Sequence, residues 1–560
     1  MLLYPSTLLA TAFGGDILVD GGMVLASGDR GTLELLAADD VVFRPTGDPA
    51  EPNFSFLLGS VAMADALPQF EPTPLNPLDV AFPDFTVLGE QKQFLDAHLL
   101  GNAQIDQAGR HVGDRDPARI YAVAGDVRQD GQFLSSAYSL IMPKSLQLRA
   151  GTDVADLAII ATNTDPGDVT LVQAGRDIDM ALGNSDPNPS AQIKVGGPGR
   201  LEVSSGRNID LGLGQGILTD GDLRTSLLPD QGAEIAVLAG IGTGQRDRTG
   251  FLTSYLDPAH YAELAEYLRA GDGSSIYTAQ MIAYVEAQTG QTGLDAATAF
   301  ALFRALTPQQ QDPLLRDILY AELTASGREA NDPSSPRFGA TDRGYAAADA
   351  MFPGDGYAGS ITMLDSAIKT LRGGDVTIMV PGGNVQIGGV VLPPPGTPGE
   401  KTNPNDSGLW TMLGGDIRVF AHDDILLRSS RALTASGGNI LFWSSFGDID
   451  AGLGSRAAVS TAPAVVRLDL NGTLQVEPGG VVSGSGIGAL QPPGDVDLYA
   501  SNGVVDAGEG GIRVAGNFNV FALQVLNADN IQVGGQTVGL PSAPVNPASI
   551  AGVSDVAAQA

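Results

Sequence analysis

A short glycine-aspartate phrase recurs along this chain of 560 residues and limits its possible folds more than any other feature. Each copy opens with Gly-Gly or Pro-Gly, continues with Asp or Asn, and enters a run that alternates apolar and polar residues. Copies begin at residues 14, 373 and 414, with variants at 166, 437 and 493. Self-similarity of this kind indicates a repeat architecture in which each unit packs against its neighbours. It favours an elongated surface protein over an enzyme built around one pocket.

The spacing inside each unit predicts two short strands joined by a turn. In the copy at 373, one alternating run starts at Val376 and the next at Val385, nine residues later. The starts 169 and 178, 440 and 449, and 496 and 505 share this offset of nine, whereas 417 and 425 differ by eight. Alternation places Ile378 on the same face as Val376 and Met379 on the opposite face.

The spacing between units predicts a stack of parallel strands. Successive units start 41, 23 and 56 residues apart. A rung of roughly 20 residues divides these intervals into two rungs, one rung, and two rungs with a loop. No helical period interrupts residues 370–540, so we expect an all-β fold, a parallel β-helix (β-solenoid). Equivalent inward residues, such as Ile417, Ile440 and Val496, should stack about 4.8 Å apart, over roughly 15–18 rungs.

Changes in composition predict a division of the chain. We expect β-helix sections at residues 1–250 and 346–540, a small α-helical insertion at 251–345, and a flexible tail at 541–560. Proline is frequent at 44–90, which predicts a long loop over the β-helix or its edge, and again at 392–405, a break between rungs. Met1 to Ala12 lacks a basic beginning and is interrupted by Pro5, so it is predicted to be a strand and not a signal peptide.

Four helix starts are expected in the insertion. Asp257-Pro258 and Asp312-Pro313 each combine a capping residue with proline at the first helical position. The other two starts are near Ser274 and Leu294, and the last helix is expected to end at Gly327. The apolar stripes of these helices must be buried within the insertion, on the β-helix or against a partner. Burial on the β-helix is the simplest of these interpretations.

Charge and cysteine content exclude several classes of function. With 31 basic and 64 acidic residues the net charge is −33, which argues against a nucleic-acid-binding surface. The chain has no cysteine, so disulfides, thiolate metal sites and cysteine nucleophiles are excluded. No apolar stretch is long enough for a membrane span.

Clustered carboxylates are the strongest candidates for catalysis or calcium binding, because β-helical polysaccharide lyases and hydrolases use such groups. The alternative is that they are corner residues whose oxygens bind backbone amides. Recurrence in successive units favours corner residues, so no catalytic residue is predicted. Neither EF-hand spacing nor a calcium-binding nonapeptide repeat occurs. The candidate carboxylates are Asp448, Asp450, Asp495, Asp497, Asp506 and Glu509.

Other chemistry-bearing residues give weaker signals. The four histidines are far apart in sequence, so no metal ligand set is predicted. Glycine strings such as 508–511 lack the following helix of a phosphate loop, so no cofactor is predicted. No nucleophile elbow is found around Ser483 or Ser485. Among the aromatics Phe442, Trp443, Phe446 and Tyr499, alternation puts one of the pair 442–443 in the core and the other outside. An outer aromatic row could bind a glycan, although a covered residue is more usual. The histidines are His98, His111, His260 and His422.

Long ordered phrases near both ends resemble a known family. Residues 3–17 and, more closely, residues 447–452, 483–487, 505–513 and 527–535 resemble a block of large filamentous haemagglutinin-like exoproteins. The resemblance covers roughly residues 1–540 and is weakest in the predicted insertion. It implies the C-terminal region of a secreted adhesin of the two-partner secretion type, folded as a right-handed parallel β-helix.

The resemblance also implies partners and a location. Such proteins pass through an outer-membrane β-barrel transporter and remain secreted and associated with the bacterial surface. The family's N-terminal secretion domain has no counterpart here, and residues 403–405, Asn-Pro-Asn, match one of its tripeptides only in a proline-rich loop. We therefore expect a fragment of a longer exoprotein, whose function is structural and adhesive toward a host or neighbouring-cell receptor or glycan.

Two further functions remain open from the sequence, a carbohydrate-active β-helical enzyme and a passive spacer rod. An enzyme should present a non-repeating cluster of carboxylates with Lys or Arg in a groove. A rod should present its Asp residues at regular corners, bound to backbone amides. We expect the second arrangement, with no enzymatic activity, no nucleic-acid partner and no membrane span.

Overall fold

The described strands form a parallel β-helix, as the repeat spacing predicts. The computed structural model describes residues 2–44, 59–65, 111–130, 139–180, 191–221, 229–242, 246–389, 407–453, 458–459, 465–468, 474–477, 482–483, 485–490 and 492–540. All pairings between rungs are parallel, and they form three ladders that run along the molecule. One rung consists of one strand from each ladder.

The first ladder contains the strands that follow the phrase copies at 166, 373, 414, 437 and 493, whereas the copy at 14 precedes a strand of the second ladder. Its members are Thr7–Ala12, Thr32–Ala37, Ala118–Ala122, Leu146–Ala150, Val169–Ala174, Arg200–Ser205, Glu234–Leu238, Val376–Val380, Ile417–Ala421, Ile440–Ser444, the starts of Val496–Asp506 and Phe518–Leu526, and Thr537–Val538.

The second ladder follows the first across a short turn. Its members are Ile17–Asp20, Val41–Arg44, Val127–Gln129, Val154–Ala155, Ile178–Asp179, Ile209–Gly212, Ile361–Met363, Val385–Ile387, Ile425–Leu426, Ile449–Asp450 and the ends of Val496–Asp506 and Phe518–Leu526.

The third ladder has 13 strands. They are Leu2–Tyr4, Gly22–Leu25, Ser60–Met63, Leu140–Met142, Ala158–Thr162, Gln192–Gly196, Gly216–Asp220, Ala367–Thr370, Gly408–Thr411, Arg431–Thr434, Gly486–Ala489, Ile512–Val514 and Ile531–Val533.

Each rung contains a third strand in addition to the two that the sequence predicts, and the predicted spacing between rungs also needs correction. Val376 pairs directly with Ile417, and Ile440 pairs directly with Val496, so the intervals of 41 and 56 residues each contain one rung. In both intervals the additional residues lie in sequence between the second-ladder strand and the third-ladder strand. In the longer interval they include two antiparallel pairs, Ala458–Val459 with Val482–Ser483 and Val465–Leu468 with Leu474–Glu477. The described residues form fewer rungs than the predicted 15–18. Thirteen described rungs at about 4.8 Å span ~60 Å.

Inward side chains form the predicted apolar stack. Ile417, Ile440 and Val496 are register partners on successive rungs, and all three side chains are fully buried in the main core. Val376 and Phe518 extend the same row at either end. Each rung therefore buries apolar surface against the rungs on both sides, which is the main stabilising contribution in a repeat protein.

Five α-helices lie between a first-ladder strand and the second-ladder strand of the same rung. They are α1 Arg248–Tyr255, α2 Thr278–Thr289, α3 Ala296–Ala305, α4 Pro308–Asn331 and α5 Asp342–Met351. Two 3-10 helices, Pro258–Glu263 and Glu266–Leu268, follow α1. The sequence signals identified α2 and α3. The signal at Asp257 marks the first 3-10 helix, whereas α1 and α5 were missed.

The predicted start at Asp312-Pro313 is wrong, because both residues lie inside α4. Thr307 caps this helix in a capping box with Gln310, and Pro308 takes the first position. Proline at 313 cannot donate to the carbonyl of Gln309, and Arg200 of the β-helix donates to that oxygen instead, at 2.8 Å. Gly327, the predicted end, also lies inside α4.

The helices cover the outer face of the first ladder. Met379, Phe420, Leu441, Trp443 and Tyr499 point away from the main core and are buried in a second core with helical side chains. This confirms burial of the apolar stripes on the β-helix and within the helical segment. Because this core is shared with the strands, the boundaries at 250, 345 and 540 remain a proposal as domain limits.

Several other sequence predictions can be compared with the described residues. Leu2–Tyr4 and Thr7–Ala12 are strands, as predicted for the N-terminus. The predicted loop at 44–90 is partly wrong, because Ser60–Met63 is a strand of the third ladder. Residues 392–405 and 541–560 lie outside the described ranges. Within those ranges, no helix combines the length and apolarity required to cross a membrane.

Candidate functional surface

From the phrase copy at 373 onward, the Asp or Asn of the phrase forms a row along the corner that precedes the first ladder. Each side-chain oxygen accepts a hydrogen bond from the backbone N–H of the equivalent residue on the next rung. The row begins at Asp375 and ends at Gln536. Its five bonds are Asp375 to Asp416 (2.8 Å), Asp416 to Asn439 (2.7 Å), Asn439 to Asp495 (2.9 Å), Asp495 to Asn517 (2.8 Å) and Asn517 to Gln536 (3.0 Å).

A second row follows the corner between the first and second ladders. It repeats the same bond from the first rung onward, with oxygen–nitrogen distances of 2.7 to 3.2 Å. Its acceptors are Asp16, Asp40, Asp126, Asp153, Asp177, Asn208, Ser360, Asn384, Asp424 and Asp448. The structure therefore confirms that the repeated carboxylates are corner residues that bind backbone amides.

The six candidate carboxylates from the sequence analysis do not come together in one site. Asp448 and Asp495 belong to the two corner rows, although they are close in sequence to Asp450 and Asp497. Asp450 and Asp506 are register partners, and each accepts a hydrogen bond from the amide two residues later, at 2.8 Å. Burial raises the pKa of Asp450, and the carboxylate of Asp506 adds to this effect.

Asp497 instead holds the helical layer on the β-helix. Its carboxylate is buried and receives two hydrogen bonds from Arg328 of α4, at 3.2 and 2.9 Å, and one from the Tyr499 hydroxyl at 2.8 Å. Glu509 is exposed in the turn before Ile512.

The described histidines are separate from one another. His111 is buried with Nδ1 3.2 Å from Asp114, His260 lies 3.1 Å from Asp257, and His422 lies 2.7 Å from Asp423. His98 is outside the described residues. Within the described ranges, no group of three or more His, Asp or Glu residues is arranged to hold a metal ion.

The aromatic residues follow the predicted alternation. Phe442 is buried in the main core, whereas its neighbour Trp443 points outward. The α5 helix covers Trp443, whose ring lies 5.6 Å from Tyr345 and 6.0 Å from Tyr499. Trp443 and Tyr499 are therefore unavailable to a ligand. Phe446 differs from them, because 57% of its surface is exposed.

A groove of about 460 Å³ lies at the first corner. Two glycine pairs, 373–374 and 414–415, line it together with Asp230, Glu234, Arg372 and Asp375. Glu234 and Asp375 immediately precede the register partners Ile235 and Val376, so their carboxylates lie on adjacent rungs. Burial raises the pKa of Asp375, although Arg418 opposes this effect. The enzyme hypothesis requires a non-repeating cluster of carboxylates with Lys or Arg in a groove. This groove has carboxylates and an arginine, but Asp375 belongs to the repeated corner row.

Phe446 lies in a corner of four residues, 445–448, which follows a corner of three residues on the rung before. Between the pairs Ala421–Ser444 and Ile425–Ile449, one rung has three residues and the next has four. The corner at 381–384 also has four residues, so the length of the segment does not by itself expose the ring. The offsets of eight and nine residues in the sequence reflect these two corner lengths, but they do not say which side chain is exposed.

The comparisons with known proteins concern the last rungs. Residues 437–542 match a family model described as filamentous haemagglutinin family outer membrane protein. No curated protein and no solved structure shows a significant match to the chain. The matched residues include the end of the first corner row and the resemblance phrases at 447–452, 483–487, 505–513 and 527–535. Over residues 437–542 the chain is therefore similar to the filamentous haemagglutinin family, as the resemblance in the sequence predicted.

Proposed function

We propose that this chain is a structural and adhesive part of a large secreted bacterial exoprotein that attaches cells to a host or to neighbouring cells. The observation that carries the proposal is the match of residues 437–542 to a haemagglutinin-type family model. In the full-length protein the first partner is an outer-membrane β-barrel transporter of two-partner secretion. The place of action is the outside of the bacterial surface.

The use of the carboxylates supports this proposal. Two long corner rows use Asp and Asn oxygens to bind the next rung, so these groups maintain the rod. The helical layer covers one outer face, and the net charge of −33 keeps the surface soluble and self-repelling. A rigid acidic rod with exposed corners is suited to contact at a distance from the cell.

A carbohydrate-active enzyme is a second candidate because of the groove at Glu234 and Asp375. Parallel rungs are about 4.8 Å apart, which is close to the roughly 5 Å separation of the two carboxyl groups in retaining glycosidases. Against this candidate, Asp375 already accepts the amide of Asp416 at 2.8 Å and pairs with Arg418 at 3.0 Å. A carboxylate that has only a structural role at a corner makes the same kind of contacts.

One experiment separates adhesin, enzyme and spacer. Purified, fluorescently labelled chain is added to bacterial and epithelial cells, and the same preparation is incubated with a panel of polysaccharides. Saturable cell binding without release of reducing ends supports the adhesin. Turnover that Glu234→Gln or Asp375→Asn abolishes would establish the enzyme instead. Neither binding nor turnover would leave the rod as a passive spacer and overturn the proposal.

A further inference from the structure

The corner that carries Phe446 combines exposed rings with polar side chains. We propose that Phe446, His422, Tyr345 and Asn502 form a binding platform for neutral saccharides, here named the 446 platform. The proposal rests on the adhesive function proposed above and gives that function a ligand class and a location. Its residues belong to three successive rungs and to α5, so the β-helix and the helical layer form it together.

Hydrogen bonds fix the backbone segment that carries the Phe446 ring. The Ser444 hydroxyl donates to the carbonyl of Asp423 at 2.7 Å and accepts from the amide of Gly447 at 3.0 Å. The amide of Phe446 donates to the carbonyl of His422 at 2.8 Å. A Cβ on residue 447 would overlap the backbone of Asp423, so glycine is required for this close approach. The ring is thus presented by a fixed backbone.

Two further rings extend the surface of Phe446. The His422 ring lies 4.8 Å from it at an angle of 44°, and the Tyr345 ring lies 5.9 Å away at 49°. Tyr345 is fixed in turn, because its hydroxyl bonds to the carbonyl of Ser445 and lies 2.7 Å from the Ser501 hydroxyl. The rings are therefore positioned before any ligand arrives, which lowers the entropic cost of binding.

Polar atoms surround this apolar surface. His422 Nδ1 lies 2.7 Å from Asp423, and that histidine side chain is 44% exposed. The side-chain amide of Asn502 donates to the Tyr345 hydroxyl at 2.8 Å and to the carbonyl of Ser445 at 3.0 Å. These bonds occupy its nitrogen and orient its oxygen as an acceptor. A ligand that covers the Phe446 ring would find donors and acceptors at the ring edge.

This combination suits a sugar better than a protein or an anion. A sugar ring has an apolar face of C–H groups that can cover one aromatic ring, with hydroxyl groups at its edge. A stable protein interface buries about 800 Å² on each partner, far more than one partly exposed phenylalanine offers. The corner segments 422–424, 445–448 and 501–503 contain three aspartates and neither Lys nor Arg, so sialylated or sulfated sugars would be repelled. A neutral saccharide fits these constraints.

The test measures binding of defined sugars to the full chain. Saturation-transfer NMR and calorimetry are recorded with N-acetyllactosamine, a galactose disaccharide and a chitin oligosaccharide, and with a sialylated and a sulfated analogue. We expect binding of at least one neutral sugar and no binding of the anionic analogues. Phe446→Ala should weaken this binding at least tenfold, whereas Phe446→Tyr, which keeps the ring, should stay within about threefold.

Controls separate the platform from exposed aromatics in general. Phe13 occupies the corresponding corner of the first rung and is 94% exposed, so Phe13→Ala should leave sugar binding unchanged. Unchanged thermal midpoints would show that both alanine variants fold. Wild-type chain that binds none of the neutral sugars, or Phe446→Ala with unaltered affinity, overturns the platform. If the protein in either of these cases still attaches to cells, the adhesive function stands without the 446 platform. Wild-type chain that does not attach to cells refutes the adhesive function itself.

Discussion

The carboxylate of Asp416 accepts a hydrogen bond from the backbone N–H of Asn439, 23 residues later on the next rung, at 2.7 Å. Asn439 makes the same bond to Asp495 at 2.9 Å. These contacts give the physical reason for the repeated phrase. A turn between two ladders leaves an amide without a strand partner, and a short side chain with an oxygen satisfies that amide from the rung before.

Loss of one such oxygen should weaken the stack locally. Asp416→Ala leaves the Asn439 amide without its acceptor and removes one of the carboxylate partners of Arg418, at 2.9 Å. We expect a loss of about 1–3 kcal/mol in the free energy of unfolding. Urea unfolding followed by circular dichroism measures the total effect, and hydrogen exchange at the Asn439 amide should become faster.

Asp416→Asn is the matched control for that change. It keeps an oxygen acceptor at the corner and removes only the charge, so exchange at the Asn439 amide should stay slow. Equal acceleration in both variants would show that the charge near Arg418, and not the hydrogen bond, protects this corner.

The attachment of the helical layer depends on a close approach at Gly327. This residue lies inside α4, and a Cβ at its position would overlap the Tyr499 ring. Alanine favours helices over glycine by about 1 kcal/mol, so any destabilisation by Gly327→Ala must come from packing. We expect a net loss of about 1–3 kcal/mol and greater exposure of Trp443, measured as a red shift of tryptophan fluorescence.

Gly271→Ala provides the comparison within the same helical segment. A Cβ at residue 271 would meet no atom within 4 Å. This variant should therefore unfold at the wild-type urea concentration and keep the wild-type fluorescence. A Gly327→Ala protein with the same behaviour would contradict the close approach of α4 to Tyr499.

Sequence reasoning succeeded where one local rule determines the structure. Alternation determined that Ile417, Ile440 and Val496 point inward, and recurrence determined that corner carboxylates bind amides. It failed where distant residues decide the outcome. Asp312-Pro313 has the pattern of a helix start, but Arg200, more than 100 residues earlier, satisfies the carbonyl that Pro313 leaves free. No local pattern contains that contact.

The candidate surface was predictable only in part for the same reason. Phe446 was named together with Phe442, Trp443 and Tyr499, but the sequence did not distinguish it from them as the exposed ring. Tyr345 could not be assigned to the same place, because its approach to Phe446 depends on how α5 packs on Trp443. Helices were expected to cover the β-helix, but the sequence does not specify which corner they leave open.

A buried ion pair should make the helical layer sensitive to acid. Asp312 is buried beside Arg246 and Arg248, at 2.9 and 2.7 Å. Burial by itself would raise the pKa of Asp312, but the two arginines hold it below its usual range. A lowered pKa stabilises the folded state above the unfolded value of about 3.9. The contribution is lost as pH falls further through the folded pKa.

Asp312→Asn removes this charge at every pH. It should destabilise the helical layer by about 3 kcal/mol at pH 7, because two arginines lose their buried partner. The difference between variant and wild type should shrink as the pH falls below about 4, which thermal unfolding at a series of pH values would show. A difference that does not change with pH would mean that Asp312 contributes to stability through its shape and not through its charge.

The opposite pH dependence is expected at Asp156. Its backbone is left-handed, with φ of 52°, and its buried Oδ1 has no hydrogen-bond partner among the described residues. Burial, reinforced by the carboxylate of Asp179, raises the pKa of Asp156 to about 7. The unfolded pKa is about 3.9. The folded state therefore holds the proton more tightly, and stability falls as pH rises from about 4 to 7.

Asp156→Asn should remove this loss of stability at higher pH, because the side-chain amide is neutral and asparagine tolerates a positive φ. Linkage over the full pKa difference corresponds to about 4 kcal/mol, and partial solvent exposure reduces the expected gain to about 1–2 kcal/mol at pH 8. Near pH 4 the carboxyl group of the folded wild type is already neutral, so the variant should gain little there. Urea unfolding of both proteins at pH 4 and pH 8 measures the two differences. An equal gain at both pH values would assign the effect to the left-handed backbone alone, and no gain at pH 8 would contradict the raised pKa.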